Sequence, residues 1–433
     1  MLEKVIVVGL VLPALTRSVA EEHLAELEKL VETAGGTVVD RILAKRPAPD
    51  PATFVGKGKA EQLKAAVERL GATLVVFDDD LSPAQARNLE KATGAGVIDR
   101  SGLILDIFAR RARSREARTQ VELAQLEYTL PRLTRAWTHL ERQAGGIGTR
   151  GVGETQLELD RRIIRNRIAH LKTDLRKIER TRETQRKSRV ETFVVALVGY
   201  TNAGKSTLFN RLTSGKAVAV DKLFATLDAK TQRIAFDMPR VTVVVDTVGF
   251  IRKLPHNLVA SFRSTMEEAV AADLVLHVID VSHPQFDEQR EVGSEVLRDL
   301  GVAPDCVLEV LNKNDRLRGS EVAGFRSAAP SERSAHHATT QPRNFATPIS
   351  ALTGEGIEQL VATIKLRELK NGDVISLEIP HNDSRMIAKL HEVAEVYEQR
   401  VTDHAMLITA WVPRDALHLF DAYVASVRRV KAG

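Results

Sequence analysis

A short glycine-containing segment, Gly199–Thr207, constrains the fold of this chain more than any other feature. Its spacing is Gly-x-x-x-x-Gly-Lys-Ser, and it lies between an apolar run, Phe193–Val198, and a helix-like segment, Leu208–Leu212. Glycines let backbone N–H groups point into such a loop, and the N-terminus of the following helix adds partial positive charge, so the unit can cradle phosphates. The pattern therefore predicts an α/β nucleotide-binding domain, and a plain strand-to-helix turn is the weaker interpretation.

Individual residues in and after this loop suit phosphoryl-transfer chemistry. Lys205 is expected to reach the β- and γ-phosphates, and Gly249 can offer its backbone N–H to the γ-phosphate. The Ser206 and Thr226 hydroxyls are expected to bind Mg²⁺, and Asp246, at the end of an apolar strand pattern, to orient the ion through water. The predicted catalytic residues are Lys205, Thr226 and Gly249, and the predicted metal ligands are Ser206 and Thr226.

Two later segments predict which base is bound. Asp315, in Asn312–Asp315, can accept hydrogen bonds from N1–H and the exocyclic amine of guanine, whereas adenine has no such pair of donors on that edge. Ser350–Leu352 can present backbone N–H to the guanine O6. The sequence therefore predicts GTP, with Mg²⁺, as the ligand. The predicted nucleotide-binding residues are Gly199, Tyr200, Thr201, Asn202, Ala203, Gly204, Lys205, Ser206, Thr207, Phe224, Ala225, Thr226, Leu227, Asp228, Asp246, Thr247, Val248, Gly249, Asn312, Lys313, Asn314, Asp315, Ser350, Ala351 and Leu352.

The residue directly after Gly249 is Phe250. Many nucleotide hydrolases of this fold have a glutamine there, which orients the attacking water. A phenylalanine side chain neither donates nor accepts a hydrogen bond. We therefore expect GTP hydrolysis by the isolated protein to be slow.

These motifs and four further segments resemble the HflX-type GTPases, a family in which an apolar residue replaces that glutamine. The segments are Asp246–Pro255, Gly56–Lys59, Gln120–Tyr128 and Gly145–Gln156, so the resemblance covers nearly the whole chain. Val152 departs from the family, which usually has proline at that position. The resemblance implies a GTPase that binds the large (50S) ribosomal subunit and its RNA and acts in ribosome splitting, rescue or biogenesis.

The composition indicates a multidomain protein. The chain has 433 residues, which is too long for one ordinary core. Of these residues 43% are apolar and 27% are charged, as is typical of a multidomain protein. A single cysteine, Cys306, excludes an intramolecular disulfide, disfavours a structural zinc cluster and fits a reducing cytoplasm. The run Val5–Leu15 could imitate a secretion signal, but it is better interpreted as a first buried strand. We expect a cytoplasmic monomer with no stable membrane insertion and no DNA partner.

Four domains are predicted from the change of hydrophobic period along the chain. An N-terminal α/β domain with a small parallel sheet comes first, and a basic antiparallel helical hairpin with a glycine-rich tip follows it. The G domain and a small α/β C-terminal domain, interpreted as strand, helix, strand and helix, complete the chain. The predicted ranges are 1–105, 106–190, 193–369 and 372–433, and residues 319–343 are interpreted as a surface insertion.

The hairpin is the predicted contact with RNA. Its second arm, residues 161–190, holds twelve lysines and arginines against three acids. Such a density of positive charge favours a phosphate-rich partner, although long helices also solvate themselves with arginine. Gly145–Gly153, with Arg150, would form a thin flexible tip, and Pro131 should kink or divide the first arm.

Two other functions are compatible with these patterns. The heptad helices could pair with a partner coiled coil, which would make the chain a nucleotide-gated interaction protein at a membrane or signalling complex. Gly56–Lys59, which opens a predicted helix, could instead hold a second nucleotide in an ATP-driven RNA remodeller.

Overall fold

The computed structural model describes ten stretches of the chain, and they belong to two compact units. The described residues are 3–133, 156–187, 192–213, 223–224, 229–237, 241–253, 269–317, 346–370, 372–402 and 404–428. The first unit consists of Met1–Arg180, Lys222–Asp228 and Arg252–Arg263, and the second of Thr181–Asp221, Ala229–Ile251 and Ser264–Gly433.

A four-stranded parallel sheet with strand order β2-β1-β3-β4 forms the N-terminal part of the first unit. Strand β1 is buried from Val5 to Val11, so the run that could imitate a secretion signal is an inner strand. Local signals start the helices: the Thr16 side chain accepts a hydrogen bond from the N–H of Val19, and Ser82 and Gln85 form a capping box. The elements are β1 (Glu3–Val11), α1 (Arg17–Ala34), β2 (Gly36–Lys45), α2 (Lys57–Leu70), β3 (Leu74–Phe77), α3 (Pro83–Thr93), β4 (Gly96–Asp99) and α4 (Arg100–Arg111).

Two helices carry the heptad repeats: α5 lies in the first unit, and α6 lies in it up to Arg180. Leu123 of α5 and Leu171 of α6 are buried, and Glu122 accepts two hydrogen bonds from the Arg167 guanidinium, at 2.7 and 2.9 Å. The α-helical part of the first arm ends just before Pro131, where a short 3₁₀ turn takes over. The relative direction of the arms stays a prediction, because the connection between them, with the glycine-rich tip, lies outside the described residues. The bounds are Arg115–Thr129 for α5, Leu130–Leu133 for the turn and Gln156–Lys187 for α6.

The second unit contains a six-stranded sheet with strand order β10-β9-β8-β5-β7-β6. All neighbouring strands run parallel except β6, which is antiparallel to β7. The carboxyl ends of β5, β7 and β9 carry the glycine loop, the Asp246 segment and the Asn312 segment, so the motifs converge at one edge, as the α/β fold predicts. The predicted surface insertion lies outside the described residues. The elements are β5 (Thr192–Gly199), α7 (Lys205–Thr213), β6 (Lys230–Arg233), β7 (Val241–Asp246), β8 (Leu274–Asp280), α8 (Phe286–Asp299), β9 (Val307–Asn312), β10 (Thr347–Pro348) and α9 (Ile357–Lys370).

The C-terminal segment differs from its predicted order of strand, helix, strand and helix. It is a four-stranded antiparallel sheet of order β12-β13-β11-β14 with one helix, and short 3₁₀ turns replace the second predicted helix. Ala416 and Phe420 have the four-residue spacing of a helix and are both buried, but the chain has only ten residues between β13 and β14. Pro380 and Pro413 end strands, as predicted. The elements are β11 (Gly372–Pro380), α10 (Ser384–Val393), β12 (Glu395–Val401), β13 (Ala405–Pro413) and β14 (Val424–Arg428), with turns at Arg414–Leu419 and Asp421–Tyr423.

None of the helices in the described part of the chain is both long enough and apolar enough to cross a bilayer.

Candidate nucleotide-binding site

The glycine loop after β5 contains backbone conformations that favour glycine. Gly199, Asn202 and Gly204 have positive φ values of 145°, 64° and 93°. A Cβ atom on Gly199 would lie 2.1 Å from the carbonyl oxygen of Val278, and one on Gly204 would lie 2.2 Å from Nδ2 of Asn312. Only glycine fits at these two positions, because both the backbone conformation and the neighbouring atoms exclude a side chain.

Lys205, the first residue of α7, is buried under the glycine loop. Its Nζ donates hydrogen bonds to the carbonyl oxygens of Gly199 and Tyr200, at 3.0 and 2.8 Å. The pKa of this ammonium is lowered to about 8, mainly by burial; Asp246 opposes the shift and Lys313 adds to it. The buried ammonium therefore has only neutral acceptors in the loop, and a phosphate oxygen would be a stronger partner.

Ser206 and Asp246 form the polar pair that could hold a cation. The Ser206 hydroxyl donates to Oδ2 of Asp246 at 2.7 Å, and Asp246 is fully buried at the end of β7. Hydroxyl and carboxylate oxygens are ligands that Mg²⁺ prefers, and the ion commonly completes its shell with water and substrate phosphates. No group of three or more histidine, cysteine, aspartate or glutamate residues that could hold a metal is found in the described stretches. Thr226, the other predicted ligand, lies outside them.

The segment after β7 is hydrogen-bonded to the glycine loop. The Thr201 N–H donates to the carbonyl oxygen of Phe250 at 2.7 Å, and the Phe250 N–H donates to that of Gly199 at 2.9 Å. A Cβ atom on Gly249 would lie 2.8 Å from the backbone Cα of Thr201, so glycine is needed for this close approach. The Phe250 side chain is only 3% exposed, and it therefore belongs to the protein core.

Asn312, the first residue of the predicted base-recognition segment, joins two loops of the pocket. Its Nδ2 donates to the carbonyl oxygen of Ala203 at 2.7 Å, and its Oδ1 accepts from the N–H of Ala351 at 2.9 Å. Lys313 has a positive φ of 66°, and its Nζ lies 2.7 Å from Oδ2 of Asp280. A buried side chain thus connects the phosphate loop to the Ser350–Leu352 loop.

The Ser350–Leu352 loop, called here the base loop, is held by several further contacts. The N–H of Ser350 donates to the carbonyl oxygen of Glu355 at 2.9 Å, and its hydroxyl accepts from the N–H of Thr353 at 3.1 Å. Arg211 of α7 donates to the carbonyl oxygens of Ala351 and Leu352. Sequence reasoning did not assign roles to Arg211 or Asp280, because neither belongs to a nucleotide-binding motif.

The structure brings four of the five predicted segments together. Asp315 is exposed at the base segment, and Leu352 is 68% exposed, so the base side of the pocket is open. Phe224 lies in the first unit, where its ring packs edge to face against Phe108 with centroids 4.7 Å apart. The segment Gly56–Lys59 starts α2, and its second nucleotide site stays a prediction. Ala225, Thr226, Leu227 and Asp228 lie outside the described residues.

Two buried polar atoms test whether a nucleotide fits this pocket. Oγ1 of Thr201 and Oδ1 of Asn314 are buried, with no hydrogen-bond partner among the described residues. Buried polar atoms are normally paired, because an unpaired one costs free energy. One of these atoms lies in the phosphate loop and the other in the base segment, so the residues present fit a nucleoside phosphate.

Three family models match consecutive parts of the chain. Residues 21–109 match a model described as GTP-binding GTPase N-terminal, and residues 111–189 one described as GTP-binding GTPase Middle Region. Residues 194–313 match a model described as 50S ribosome-binding GTPase.

Comparison with individual proteins gives long alignments. GTPase HflX from Escherichia coli (strain K12) is 46% identical over 382 residues, which cover 87% of this chain and 86% of that protein. GTPase HflX from Lacrimispora saccharolytica is 43% identical over 399 residues, covering 92% and 90%. Among solved structures, the crystal structure of the SsGBP and GDP complex is 27% identical, with a TM-score of 0.49, and the alignment covers 84% of this chain and 99% of that one.

Proposed function

The chain belongs to the HflX family of GTPases, and from this premise we propose that it hydrolyses GTP to GDP and phosphate with Mg²⁺ while acting on the large ribosomal subunit. The observation that carries the nucleotide part is the pair of hydrogen bonds made by Asn312, to the phosphate loop and to the base loop. Because a single buried side chain holds both loops, phosphate binding and base recognition belong to one pocket.

Each residue of the pocket has a separate role in the proposed hydrolysis. Lys205 exchanges its carbonyl partners for β- and γ-phosphate oxygens, and the N–H of Gly249 donates to the γ-phosphate. The Ser206 and Thr226 hydroxyls would hold the metal, and the Asp246 carboxylate would help to orient it. Mg²⁺, when bound, neutralises charge that develops on the phosphate oxygens. Attack by water on the γ-phosphorus forms one P–O bond and breaks the bond to the β,γ-bridging oxygen.

Guanine is selected by Asp315 and the base loop. The Asp315 carboxylate accepts from N1–H and the exocyclic amine, while backbone N–H groups of the base loop donate to O6. Asn312 fixes the base loop through Ala351.

Two observations support the ribosomal part of the proposal. The family model matched by residues 194–313 is described as a 50S ribosome-binding GTPase. In addition, α6 presents exposed positive side chains along much of its length, which suits a phosphate-rich surface. These side chains are Arg162, Arg165, Arg167, Lys172, Arg176, Lys177 and Arg180.

The proposed function includes a domain organisation and a cellular location for the chain. The chain acts as a cytoplasmic monomer with a nucleotide-binding domain at 193–369, preceded by an α/β domain at 1–105 and a basic hairpin at 106–190, and followed by a smaller domain at 372–433. The hairpin is the part that contacts RNA.

Sedimentation with purified ribosomal subunits tests the proposal. The protein loaded with a non-hydrolysable GTP analogue should pellet with large subunits, and the protein loaded with GDP should pellet much less. Raising the salt concentration should weaken the complex steeply, because phosphate contacts release counterions. A complex that resists salt would favour an apolar coiled-coil contact instead, and failure to pellet in either nucleotide state would contradict the ribosomal part.

Hydrolysis by the isolated protein should be slow and should increase with large subunits. The Phe250 side chain is buried in the core and cannot orient a water molecule. Phosphate release under single-turnover conditions, with and without subunits, measures this directly. Fast release that subunits leave unchanged would show that the pocket is complete on its own.

A further inference from the structure

The Thr201 hydroxyl, in the glycine loop, is a polar group that the proposed roles leave unused. The residue is 7% exposed, and its Oγ1 has no hydrogen-bond partner among the described residues. Burying a hydroxyl without a partner costs free energy, so such a group is expected to gain one in the functional complex. The partner should be a ligand atom, because the glycine loop is the part of the chain to which the proposed function assigns the phosphates.

The neighbours of Thr201 place it at the reacting end of the nucleotide. An ideal Cβ on Gly249 would lie 2.8 Å from both Cα and Cγ2 of Thr201 and 2.7 Å from Nζ of Lys205. Thr201 is therefore adjacent to the lysine that takes the γ-phosphate and to the glycine whose N–H is assigned to it. Its backbone N–H donates to the Phe250 carbonyl at 2.7 Å, which fixes the main chain at Thr201 beside the segment that carries Gly249.

The other polar side chains of this region already have partners or face solvent. Ser206 donates to Asp246, Lys205 donates to two carbonyl oxygens, and Asn202 is exposed. Phe250, at the position where relatives of the fold have a glutamine, is apolar and buried. A hydroxyl can accept one hydrogen bond and donate another, which is the capacity that orienting a water molecule beside a phosphoryl group requires.

We propose that the Thr201 hydroxyl is a catalytic group that stands in for the missing glutamine. Its oxygen accepts a hydrogen bond from the attacking water, and its O–H donates to a γ-phosphoryl oxygen. The water oxygen then bonds to the γ-phosphorus, the bond to the β,γ-bridging oxygen breaks, and the proton of the water leaves with the phosphate product. The hydroxyl itself is unchanged. This role rests on the proposed GTPase function.

Two substitutions of the full-length chain separate the hydroxyl from the shape of the residue. Thr201→Val removes the hydroxyl and keeps the branched shape, whereas Thr201→Ser keeps the hydroxyl. Thr213→Val is the matched control, because Thr213 is also buried but its hydroxyl donates to the Phe209 carbonyl within α7. Circular dichroism and thermal unfolding would check that each variant folds.

The measurements are the affinity for GDP, the affinity for GDP with aluminium fluoride, which imitates the transferring phosphoryl group, and the single-turnover rate with GTP. Thr201→Val should bind GDP within about twofold of the unchanged protein, because GDP has no γ-phosphate. Its affinity for the aluminium fluoride complex and its rate should both fall by about tenfold to a hundredfold, as expected when a hydrogen bond to a charged group is lost. Thr201→Ser and Thr213→Val should stay close to the unchanged protein.

Three results would overturn the assignment. Hydrolysis of GTP and binding of aluminium fluoride by Thr201→Val at the level of the unchanged protein would leave the hydroxyl without a role. An equal loss of affinity for GDP would make Thr201 a structural residue of the loop. If the unchanged protein neither hydrolyses GTP nor forms the aluminium fluoride complex, the GTPase proposal fails together with the role of Thr201. If the unchanged protein does both and only the predicted effect of Thr201→Val is absent, the GTPase proposal still holds.

Discussion

Asn312 shows how much of a nucleotide pocket a single side chain can organise. Its amide donates to the phosphate loop and accepts from the base loop, and the loop approaches it closely because Gly204 has no side chain. Substitution of either residue should therefore disturb both loops. The residues with proposed chemical roles lie in or next to these loops, and two of them give separate predictions.

Asp315→Asn should change the base that the pocket accepts. The amide would place a donor where the carboxylate accepts from guanine, so the affinity for GTP should fall by about a hundredfold. Xanthine has a carbonyl in place of the exocyclic amine, and xanthosine triphosphate should bind the variant better than GTP. Titration with fluorescent nucleotides measures both affinities, with Asp305→Asn as an exposed control of equal charge change. Equal binding of ATP and GTP by the unchanged protein would refute the guanine assignment.

Lys205 should make nucleotide binding depend on pH. Because burial lowers the pKa of its ammonium to about 8 in the free protein, the side chain loses its charge as pH rises through that value. Bound phosphates would raise the pKa again, so GDP binding should take up almost no proton well below pH 8 and about half a proton at pH 8. GDP affinity should fall above pH 8, by at most tenfold per pH unit. Calorimetry in two buffers of different ionisation enthalpy counts the protons, and zero uptake at pH 8 would contradict the prediction.

At the scale of helices and strands, the sequence predicted structure well where residues close together in the chain gave a clear signal. The apolar run after Lys4 became β1, and the Ser82 cap with Pro83 started α3 at the expected residue. The helix predicted after Pro413 is wrong. Ala416 and Phe420 have helical spacing and are both buried, but the chain between β13 and β14 forms short 3₁₀ turns. The spacing of apolar residues does not reveal how many residues connect two strands of a sheet, and therefore whether a helix fits between them.

Contacts between distant residues were the part that sequence could not predict. Arg100 begins α4 and is buried, and its guanidinium forms ion pairs with Asp78, at 2.6 Å, and with Glu26. Lys253 also lies 2.6 Å from Asp78 in the same unit. Glu26, Asp78 and Arg100 belong to no recognisable motif, and the segment Asp246–Pro255, which contains Lys253, does not reveal this pairing. The pairing depends on the sheet placing the end of β3 beside the start of α4.

Asp78→Asn should destabilise the first unit. Burial alone would raise the pKa of the Asp78 carboxyl, but Arg100 and Lys253 hold it below its ordinary value. Its charge therefore contributes stability above the unfolded pKa of about 4, and that contribution is lost as pH falls through the lower folded value. Removing it leaves Arg100 poorly compensated and should lower the opening free energy of β3 and α4 by about 3–5 kcal/mol.

Amide hydrogen exchange at neutral pH measures that loss locally, which suits a chain of several domains. Asp40→Asn is the matched control, since Asp40 lies 3.7 Å from Arg69 at the surface and should change stability by less than about 1 kcal/mol. Unchanged protection of β3 and α4 in Asp78→Asn would show that the ion pairs are not stabilising.

At the scale of the whole molecule, nucleotide chemistry and ribosome contact are assigned to different parts of the chain. The described residues of the phosphate loop and the base loop lie in the second unit, whereas α5 and most of α6 belong to the first. A change restricted to the hairpin should therefore alter ribosome action without altering nucleotide affinity. The glycine-rich tip is the best place for such a change, because it is short and carries a single strong charge at Arg150.

Replacing residues 146–152 with a short serine-rich turn should leave GTP affinity unchanged and abolish action on ribosomes. The prediction rests on the sequence, in which glycines permit close approach to RNA and Arg150 can pair with phosphate. Nucleotide titration and subunit separation by sedimentation measure the two activities on one preparation, and Arg150→Ala tests the charge alone, with a smaller expected loss. If the replaced protein acts on subunits as well as the original does, the tip is only a connector. The RNA-contacting surface would then have to be sought on the exposed arginines and lysines of α6, where charge reversal would be the next experiment.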